Sequence, residues 1–298
     1  MDGIDLHGMG VALITPFQAD ENVDYEALNR MVDYLIDNGT DYIVALGTTA
    51  ETVALSDEEK KEITSVIVER VNRRIPIVLG ISGNCTKKVV TEIEQTEFRG
   101  IDAVLSVVPY YNKPSQEGIY QHYRAISKAS PKPIVLYNVP GRTVTNMTCE
   151  TTLRLANDFE NIIAIKEASG NFSQMDDIIK HKPADFQVIS GDDGITFPLI
   201  ALGAVGVISV IGNAFPKEFS RMVRLALEGD YASARMLHSR FVELFELLFV
   251  DGNPAGVKSM LNMMGFIENK LRLPLVPTRI TTFEKIRNVL NKLNIKVQ

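Results

Sequence analysis

Two short apolar runs, IVLYN at residues 134–138 and IIAIK at residues 162–166, enclose the segment CETTLRLAN at residues 149–157. The runs are rich in β-branched residues, which favour strands, whereas apolar residues recur at helical spacing in the segment between them. A strand, a helix and a second strand in this order predict two parallel strands joined by a helical crossover. This unit decides the fold, because the same alternation extends along most of the chain.

The alternation of strand and helix continues between residues 11 and 210. The predicted strands are Val11–Thr15, Tyr42–Leu46, Ile75–Gly80, Ala103–Val108, Ile134–Asn138, Ile162–Lys166, Phe186–Ser190 and Val205–Val210. The predicted helices between them are Tyr25–Asp37, Asp57–Val71, Thr86–Phe98, Glu117–Ala129, Cys149–Asn157, Phe172–His181 and Ile195–Leu202. This α/β pattern matches a (β/α)8 TIM barrel better than an open doubly wound sheet, which is the alternative.

The chain after Ala214 has helical periodicity only. The predicted helices there are Glu218–Glu228, Tyr231–Phe249, Pro254–Met264 and Thr282–Leu293. The first is the expected eighth barrel helix, and the others predict an appended subdomain that packs on a partner or on its own barrel. We therefore predict a catalytic barrel over residues 1–229 and a C-terminal helical subdomain over residues 230–298.

Composition and charge exclude several classes of protein. The 298 residues include 31 Lys and Arg against 37 Asp and Glu, so the formal charge is −6. An acidic chain lacks the positive charge that binding a nucleic-acid backbone requires. Cys85 and Cys149 form no CxxC pair, and the acidic first residues do not resemble a targeting peptide. These features predict a cytoplasmic protein without a disulfide framework and without a nucleic-acid partner.

Neither a membrane span nor a cofactor is predicted. Residues 194–216 carry no charge, but Pro198 and Gly203 interrupt them, so we interpret the stretch as a helix followed by a buried strand. The histidines have no metal-ligand spacing, and no phosphate-binding GxxxxGK[ST] motif occurs. The segment Gly8-Met9-Gly10 precedes a predicted strand, whereas the dinucleotide fingerprint must follow one.

The active site of a TIM barrel lies at the carboxyl ends of its strands. Lys166 ends the predicted sixth strand directly after four apolar residues. Burial at such a position favours the neutral amine, which is a nucleophile. The alternative is a side chain that reaches past the rim and pairs with Glu167 or solvent.

Other strand ends supply polar groups. Tyr111 and Tyr137 carry phenols that can pass protons, and Thr48 and Thr49 offer hydroxyls and amides suited to a carboxylate. Arg142 follows Pro-Gly, where its guanidinium could hold a carboxylate with two hydrogen bonds. Each has a structural alternative, namely a packed ring, a local turn or a surface salt bridge. The pair Asp192-Asp193 predicts a helix cap.

These groups together predict imine chemistry. Lys166 would convert a keto acid into an iminium, which draws electrons from the adjacent carbon. That carbon can then lose a proton and attack an aldehyde. The predicted reaction is a metal-free aldol addition.

Four segments resemble the dihydrodipicolinate synthase (4-hydroxy-tetrahydrodipicolinate synthase) branch of the N-acetylneuraminate lyase superfamily, and the resemblance covers nearly the whole chain. They are GTTAE at 47–51, similar to the family's GTTGE, YYNKP at 110–114, YNVPGRT at 137–143 and the Schiff-base segment Lys166-Glu167. The resemblance implies condensation of pyruvate with L-aspartate 4-semialdehyde, on the route to diaminopimelate and lysine. It also implies a homotetramer, a dimer of dimers, that the C-terminal helices help to assemble.

The resemblance also implies a role for each site residue. Lys166 forms the imine with pyruvate, Tyr137 relays protons, and Thr48 links Tyr137 to Tyr111, which reaches in from a neighbouring subunit. The remaining implied contacts are with substrate: Thr49 holds the pyruvate carboxylate, Arg142 binds the carboxylate of the semialdehyde, and the backbones of Gly191 and Ile208 line the pyruvate site.

Two departures from the family pattern concern the carboxylate pocket and regulation. Ala50 replaces a glycine, and we expect this small change to be tolerated. Lysine-inhibited members carry histidine and glutamate where this chain has Asp57, Lys60 and Lys88. Because the Lys88 ammonium would repel that of a lysine ligand, we expect weak or absent feedback inhibition.

Two other functions are alternatives. The first is a related pyruvate-dependent aldolase that cleaves N-acetylneuraminate or a 2-keto-3-deoxy sugar acid. Arg142 argues against it, because a sugar acid requires neutral groups that read hydroxyls. The second is a non-catalytic barrel that binds a keto acid, which a fold by itself does not exclude.

Overall fold

The computed structural model describes residues 4–297 and shows eight parallel strands closed into a barrel. The strands are β1 (Gly8–Ala12), β2 (Tyr42–Ala45), β3 (Ile77–Gly80), β4 (Ala103–Val107), β5 (Ile134–Asn138), β6 (Ile162–Glu167), β7 (Gln187–Ser190) and β8 (Gly206–Ser209). Each strand pairs with the next, and β8 pairs with β1. The predicted TIM barrel is confirmed, and the open sheet is wrong.

Helices connect the strands and continue beyond the barrel. They are α1 (Tyr25–Asp37), α2 (Asp57–Val71), α3 (Thr86–Gln95), α4 (Gln116–Ala129), α5 (Pro140–Thr143), α6 (Cys149–Asp158), α7 (Phe172–His181), α8 (Thr196–Leu202), α9 (Pro216–Leu227), α10 (Tyr231–Leu247), α11 (Ala255–Met263) and α12 (Ile280–Lys292). The start of α2 was predictable because Ser56 and Glu59 form a capping box. The short α5 was not predicted, since four residues carry no periodicity.

The first strand differs from its prediction. It begins at Gly8 and ends at Ala12, whereas apolar content predicts Val11–Thr15. Two glycines conceal its start, because glycine is depleted in strands. The barrel nevertheless needs Gly10: a Cβ there would lie 2.1 Å from the Tyr42 ring. The Gly-Met-Gly segment therefore lies within β1 and does not precede a strand.

Alternation along the strands separates two apolar layers. The inner cluster fills the barrel and consists of Ala12, Tyr42, Val44, Val78, Ala103, Leu105, Val135, Tyr137, Val139, Ala164, Ile189, Ile208 and Leu6. Residues of opposite parity, such as Leu136 and Ile165, pack outward in the core that includes the helices. Because both faces are covered, the strands are continuous apolar runs. Tyr137 and Lys166 have the parity of the inner layer.

The uncharged segment between Gly194 and Pro216 contains α8 and β8, in agreement with the sequence interpretation. Gly203 ends α8 with a φ of 117°, a left-handed conformation that favours glycine. No helix within residues 4–297 has both the length and the apolar character that a membrane span requires.

The C-terminal helices pack on their own barrel. The helix α10 contacts α8 and α9, and α12 contacts α10 and α11. On α11, Lys258 forms an ion pair of 2.5 Å with Glu51, which follows β2, and both side chains are fully buried. Burial lowers the pKa of Lys258 to about 8, so its ammonium is still charged at neutral pH. The domain boundary at residues 229 and 230 stays a prediction.

We predict that Lys258→Met lowers the free energy of unfolding by about 3–5 kcal/mol, because it removes the ion-pair partner of the buried Glu51 carboxylate. The double variant Lys258→Met with Glu51→Gln should recover at least half of that loss. Urea denaturation measures both effects. The control is Lys292→Met, which breaks an exposed 3.2 Å pair with Glu243 and should cost less than about 1 kcal/mol. Equal losses in Lys258→Met and Lys292→Met would contradict the prediction.

Candidate active site

Lys166 and Tyr137 lie side by side at the carboxyl ends of β6 and β5. The strand register pairs the two residues, and Lys166 Nζ lies 4.4 Å from the centre of the Tyr137 ring. Both side chains are 6% exposed. Lys166 does not pair with Glu167, whose carboxylate accepts hydrogen bonds from other groups. The lysine amine is thus held against a phenol ring at the barrel rim, where only a small fraction of it meets solvent.

Gly191, which follows β7, leaves space for Lys166. A Cβ at this position would lie 3.1 Å from Lys166 Cε and 2.7 Å from the Ala168 methyl. Its amide donates to the Glu167 carbonyl at 2.8 Å, which fixes the loop against β6. Ile208 of β8 is 1% exposed and belongs to the same inner cluster as Tyr137. Gly191 therefore borders the lysine side chain, and Ile208 faces the interior of the barrel.

Thr48 and Thr49 form a single 3-10 turn with Ala50 after β2. The Thr49 side chain is buried, and its Oγ1 accepts a hydrogen bond of 2.9 Å from Asn253 Nδ2. Thr48 is exposed at the rim. Ala50, which replaces the family's glycine, is buried and has no positive φ. Its backbone conformation therefore does not require a glycine. Within the described part of the chain, Thr48 makes no hydrogen bond to a tyrosine.

Tyr111 and Arg142 lie at the mouth of the barrel. Tyr111 follows β4, has a φ of 78°, and is 86% exposed, so one chain does not bring it into contact with Tyr137. Arg142 lies in α5, its side chain is exposed, and no ion pair of residues 4–297 includes it. The surface salt bridge considered as an alternative for Arg142 is therefore absent from this part of the structure.

Sequence reasoning missed a buried polar network behind the lysine. The fully buried Glu167 carboxylate accepts hydrogen bonds from Asn138 Nδ2 at 3.0 Å, the Ser169 amide at 2.8 Å and Gln174 Nε2 at 3.0 Å. Burial raises the pKa of Glu167, and these donors oppose the shift. Asn138 and Glu167 directly follow Tyr137 and Lys166 and have the opposite parity. The sequence feature that could have indicated this network is a polar residue at the end of each of two neighbouring strands.

Asp192 and Asp193 have different roles. Asp192 caps the turn by accepting a hydrogen bond from the Gly194 amide at 2.8 Å, as predicted. Asp193 instead accepts hydrogen bonds from the amides of Val210 at 3.0 Å and Ile211 at 2.8 Å. Burial raises the pKa of Asp193 to about 6. This carboxyl ties the loop after β7 to the end of β8.

The remaining polar groups do not form a metal centre in residues 4–297, where no three His, Cys, Asp or Glu side chains are grouped to hold an ion. The chemistry available from the described geometry is that of an amine nucleophile beside a phenol, with a hydroxyl-rich turn across the barrel mouth.

Residues 5–293 match the family described as "Dihydrodipicolinate synthetase family". The chain belongs to this family. A 4-hydroxy-tetrahydrodipicolinate synthase from Parabacteroides distasonis is 74% identical over 296 residues, which cover 99% of this chain and 100% of that protein.

Solved structures agree with this family membership. The dihydrodipicolinate synthase of Aquifex aeolicus is 41% identical, with a TM-score of 0.95 over 98% of this chain and 100% of the other. A chloride-inhibited dihydrodipicolinate synthase from Acinetobacter baumannii, solved with pyruvate, is 40% identical, with a TM-score of 0.95 over 98% of this chain and 100% of the other. The family that the sequence motifs resemble is therefore confirmed.

We predict that Gly191→Ala displaces the Lys166 side chain and lowers the free energy of unfolding by about 1–3 kcal/mol, because the new methyl overlaps Ala168 and crowds Lys166 Cε. Chemical denaturation and a crystal structure of the variant measure the two effects. The matched control is Gly141→Ala, since nothing lies within 4 Å of a Cβ built at Gly141. An unchanged Lys166 position in Gly191→Ala would contradict the prediction.

Proposed function

We propose that this chain is a 4-hydroxy-tetrahydrodipicolinate synthase, which condenses pyruvate with L-aspartate 4-semialdehyde. The observation that carries the proposal is the buried amine of Lys166 at the end of β6, 4.4 Å from the Tyr137 ring. The full-length similarity to a protein of that name supports the choice of substrates. The implied role is in lysine and diaminopimelate biosynthesis, in the cytoplasm, without a nucleic-acid or membrane partner.

Lys166 acts as the nucleophile. Its amine nitrogen adds to the keto carbon of pyruvate, and loss of water leaves an iminium on Nζ. The iminium takes up the electron pair released when the pyruvate methyl loses a proton, which gives an enamine. The enamine carbon then attacks the aldehyde: a carbon–carbon bond forms, the aldehyde C=O π pair moves to its oxygen, which takes up a proton, and the iminium on Nζ is restored. Attack of the semialdehyde's own amino group on the imine carbon closes the product ring and releases the Lys166 amine.

Tyr137 acts as the proton carrier. Its ring lies beside Lys166 Nζ, so its hydroxyl belongs to the same inner space as the carbinolamine that must lose water. A phenol can both donate and accept a proton there. We assign Thr48 and Tyr111 to the relay that connects Tyr137 to solvent.

The pyruvate site lies between the lysine and the turn after β2. Thr49 and the backbone amides of that turn would bind the pyruvate carboxylate, because hydroxyl and amide donors suit an anion. The backbones of Gly191 and Ile208 would line the opposite wall. Arg142 would bind the carboxylate of the semialdehyde, and its exposed guanidinium has no counter-ion in the described residues.

A second copy of the chain would complete the relay. Tyr111 is 86% exposed, although the relay requires its hydroxyl close to Thr48. Val53 beside the Thr48 turn is 90% exposed as well. Exposed apolar groups at this mouth fit burial by a neighbouring subunit. We therefore propose that Tyr111 crosses to a neighbouring copy, within the homotetramer, a dimer of dimers, that the family resemblance implies.

We predict that Lys166→Ala lowers turnover of pyruvate by about 10³-fold or more, because no other amine occupies the nucleophile position. The measurement is pyruvate consumption with L-aspartate 4-semialdehyde in the presence of a metal chelator. The control is Lys292→Ala, which removes a 66% exposed lysine and should leave turnover unchanged.

The outcomes separate the alternatives. Consumption that requires the semialdehyde and Lys166 supports the synthase. If the wild-type protein leaves pyruvate untouched, the semialdehyde assignment is wrong. Borohydride trapping of pyruvate on Lys166 would then indicate a sugar-acid lyase, and its absence would indicate a non-catalytic barrel.

We predict that submillimolar lysine does not inhibit the enzyme. Lys88 is exposed on α3, and the carboxylate of Asp57 already forms an ion pair of 3.1 Å with Lys60. A lysine ligand would meet an ammonium where it needs a carboxylate. Initial rates with added lysine test this, and Lys88→Glu should increase any sensitivity. Strong inhibition of the wild-type enzyme would show the expectation to be wrong.

A further inference from the structure

Asn253, in the loop between α10 and α11, reaches the turn after β2. Its Nδ2 lies 2.9 Å from Thr49 Oγ1, although the two residues are 204 positions apart in sequence. Asn253 is 5% exposed and Thr49 is 3% exposed, so water competes little for this hydrogen bond. A residue of the C-terminal segment therefore contacts the turn that faces the proposed pyruvate site.

The direction of this hydrogen bond determines what the Thr49 hydroxyl can do. A hydroxyl has one proton to donate and two acceptor lone pairs. Because Thr49 Oγ1 accepts from Asn253, its own proton remains available. Within residues 4–297 the Thr49 hydroxyl donates to no protein acceptor. A buried hydroxyl that keeps a free proton is prepared to donate to an anion.

A group of buried and partly buried charges holds the same turn from the C-terminal side. Glu51, at the end of the turn, pairs with Lys258 and accepts a hydrogen bond of 3.0 Å from the Arg272 amide. The Arg272 guanidinium donates to the carbonyl of Ala54 at 3.0 Å and to both carboxylate oxygens of Glu59. The turn and the loop that carries Asn253 are thus fixed relative to one another.

We propose that Asn253 is a positioning residue: by donating to Thr49 Oγ1, it directs the Thr49 hydroxyl proton toward the carboxylate of the keto acid. The proposal rests on the function assigned above and adds a residue outside the strand ends to its binding site. Without Asn253, the Thr49 hydroxyl can rotate and donate its hydrogen bond to another acceptor. The expected loss is in pyruvate binding, since the carboxylate contact is present before and during the chemical steps.

The test compares KM for pyruvate, KM for the semialdehyde and kcat in Asn253 variants. Asn253→Ala should raise KM for pyruvate about tenfold and change kcat and the other KM less than about threefold. Asn253→Asp keeps the shape but offers only acceptors, so it should capture the Thr49 proton and raise KM about 100-fold. The matched control is Asn262→Asp on α11, because Asn262 Nδ2 donates to the Ile267 carbonyl and makes no hydrogen bond to the turn in the described residues.

Thr49→Val separates proton direction from charge repulsion. In the Thr49→Val background, Asn253→Ala should raise KM no further, and Asn253→Asp should lose most of its effect. A double-mutant cycle measures this coupling. Thermal unfolding verifies that every variant is folded. If the Asn253→Asp variant does not fold, the double-mutant cycle of Asn253→Ala with Thr49→Val is sufficient to test the proposal.

Two results would overturn the proposal. One is an Asn253→Asp variant that binds pyruvate as well as the wild type, since Thr49 would then be donating to the amide oxygen already. The other is additive effects of the Thr49 and Asn253 variants, which would give Asn253 a purely structural role. A wild-type protein that neither consumes pyruvate nor forms a borohydride-trapped adduct would instead refute the function itself, a result that these comparisons distinguish.

Discussion

Closure of the sheet by pairing of β8 with β1 is the constraint on which the rest of the structure depends. Because all eight strands are parallel, closure brings every carboxyl end to one rim. The β5–β6 register then places Tyr137 beside Lys166, and the pleat turns both side chains inward. The apolar runs that form the barrel therefore also deliver an amine and a phenol to one space.

Buried polar groups behind this rim hold its loops in position. Each buried carboxyl joins segments that are separate in the chain: Glu167 binds Asn138 and Gln174, Asp193 binds the end of β8, and Glu51 binds the C-terminal segment. An unpaired buried charge is costly, so each partner must be present for its loop to keep its position. Loops at the rim are fixed by these contacts, whereas Tyr111 and Arg142 remain exposed at the mouth.

The sequence was sufficient wherever the signal was local. Eight apolar runs predicted the barrel, because a strand that is buried on both faces consists of consecutive apolar residues. Lys166 and Tyr137 could be nominated together, since strand ends in a closed parallel barrel meet at one rim. The same locality explains the error at β1: its glycines are required by the Tyr42 ring, a distant residue, and they weaken the local strand pattern.

Contacts between distant segments were decided by the tertiary structure alone. Asn253 and Thr49 are 204 residues apart, and Lys258 and Glu51 are likewise brought together only when α10 and α11 pack on the barrel. Nothing in the local sequence of a turn or helix indicates which distant residue will form a hydrogen bond or an ion pair with it. The sequence by itself thus determined the barrel, through the periodicity of its strands and helices, and the family, through four short motifs, and it predicted Lys166 as the nucleophile. The tertiary structure decided which distant residues fix the turn after β2, because contacts between remote segments form only when the helices pack on the barrel.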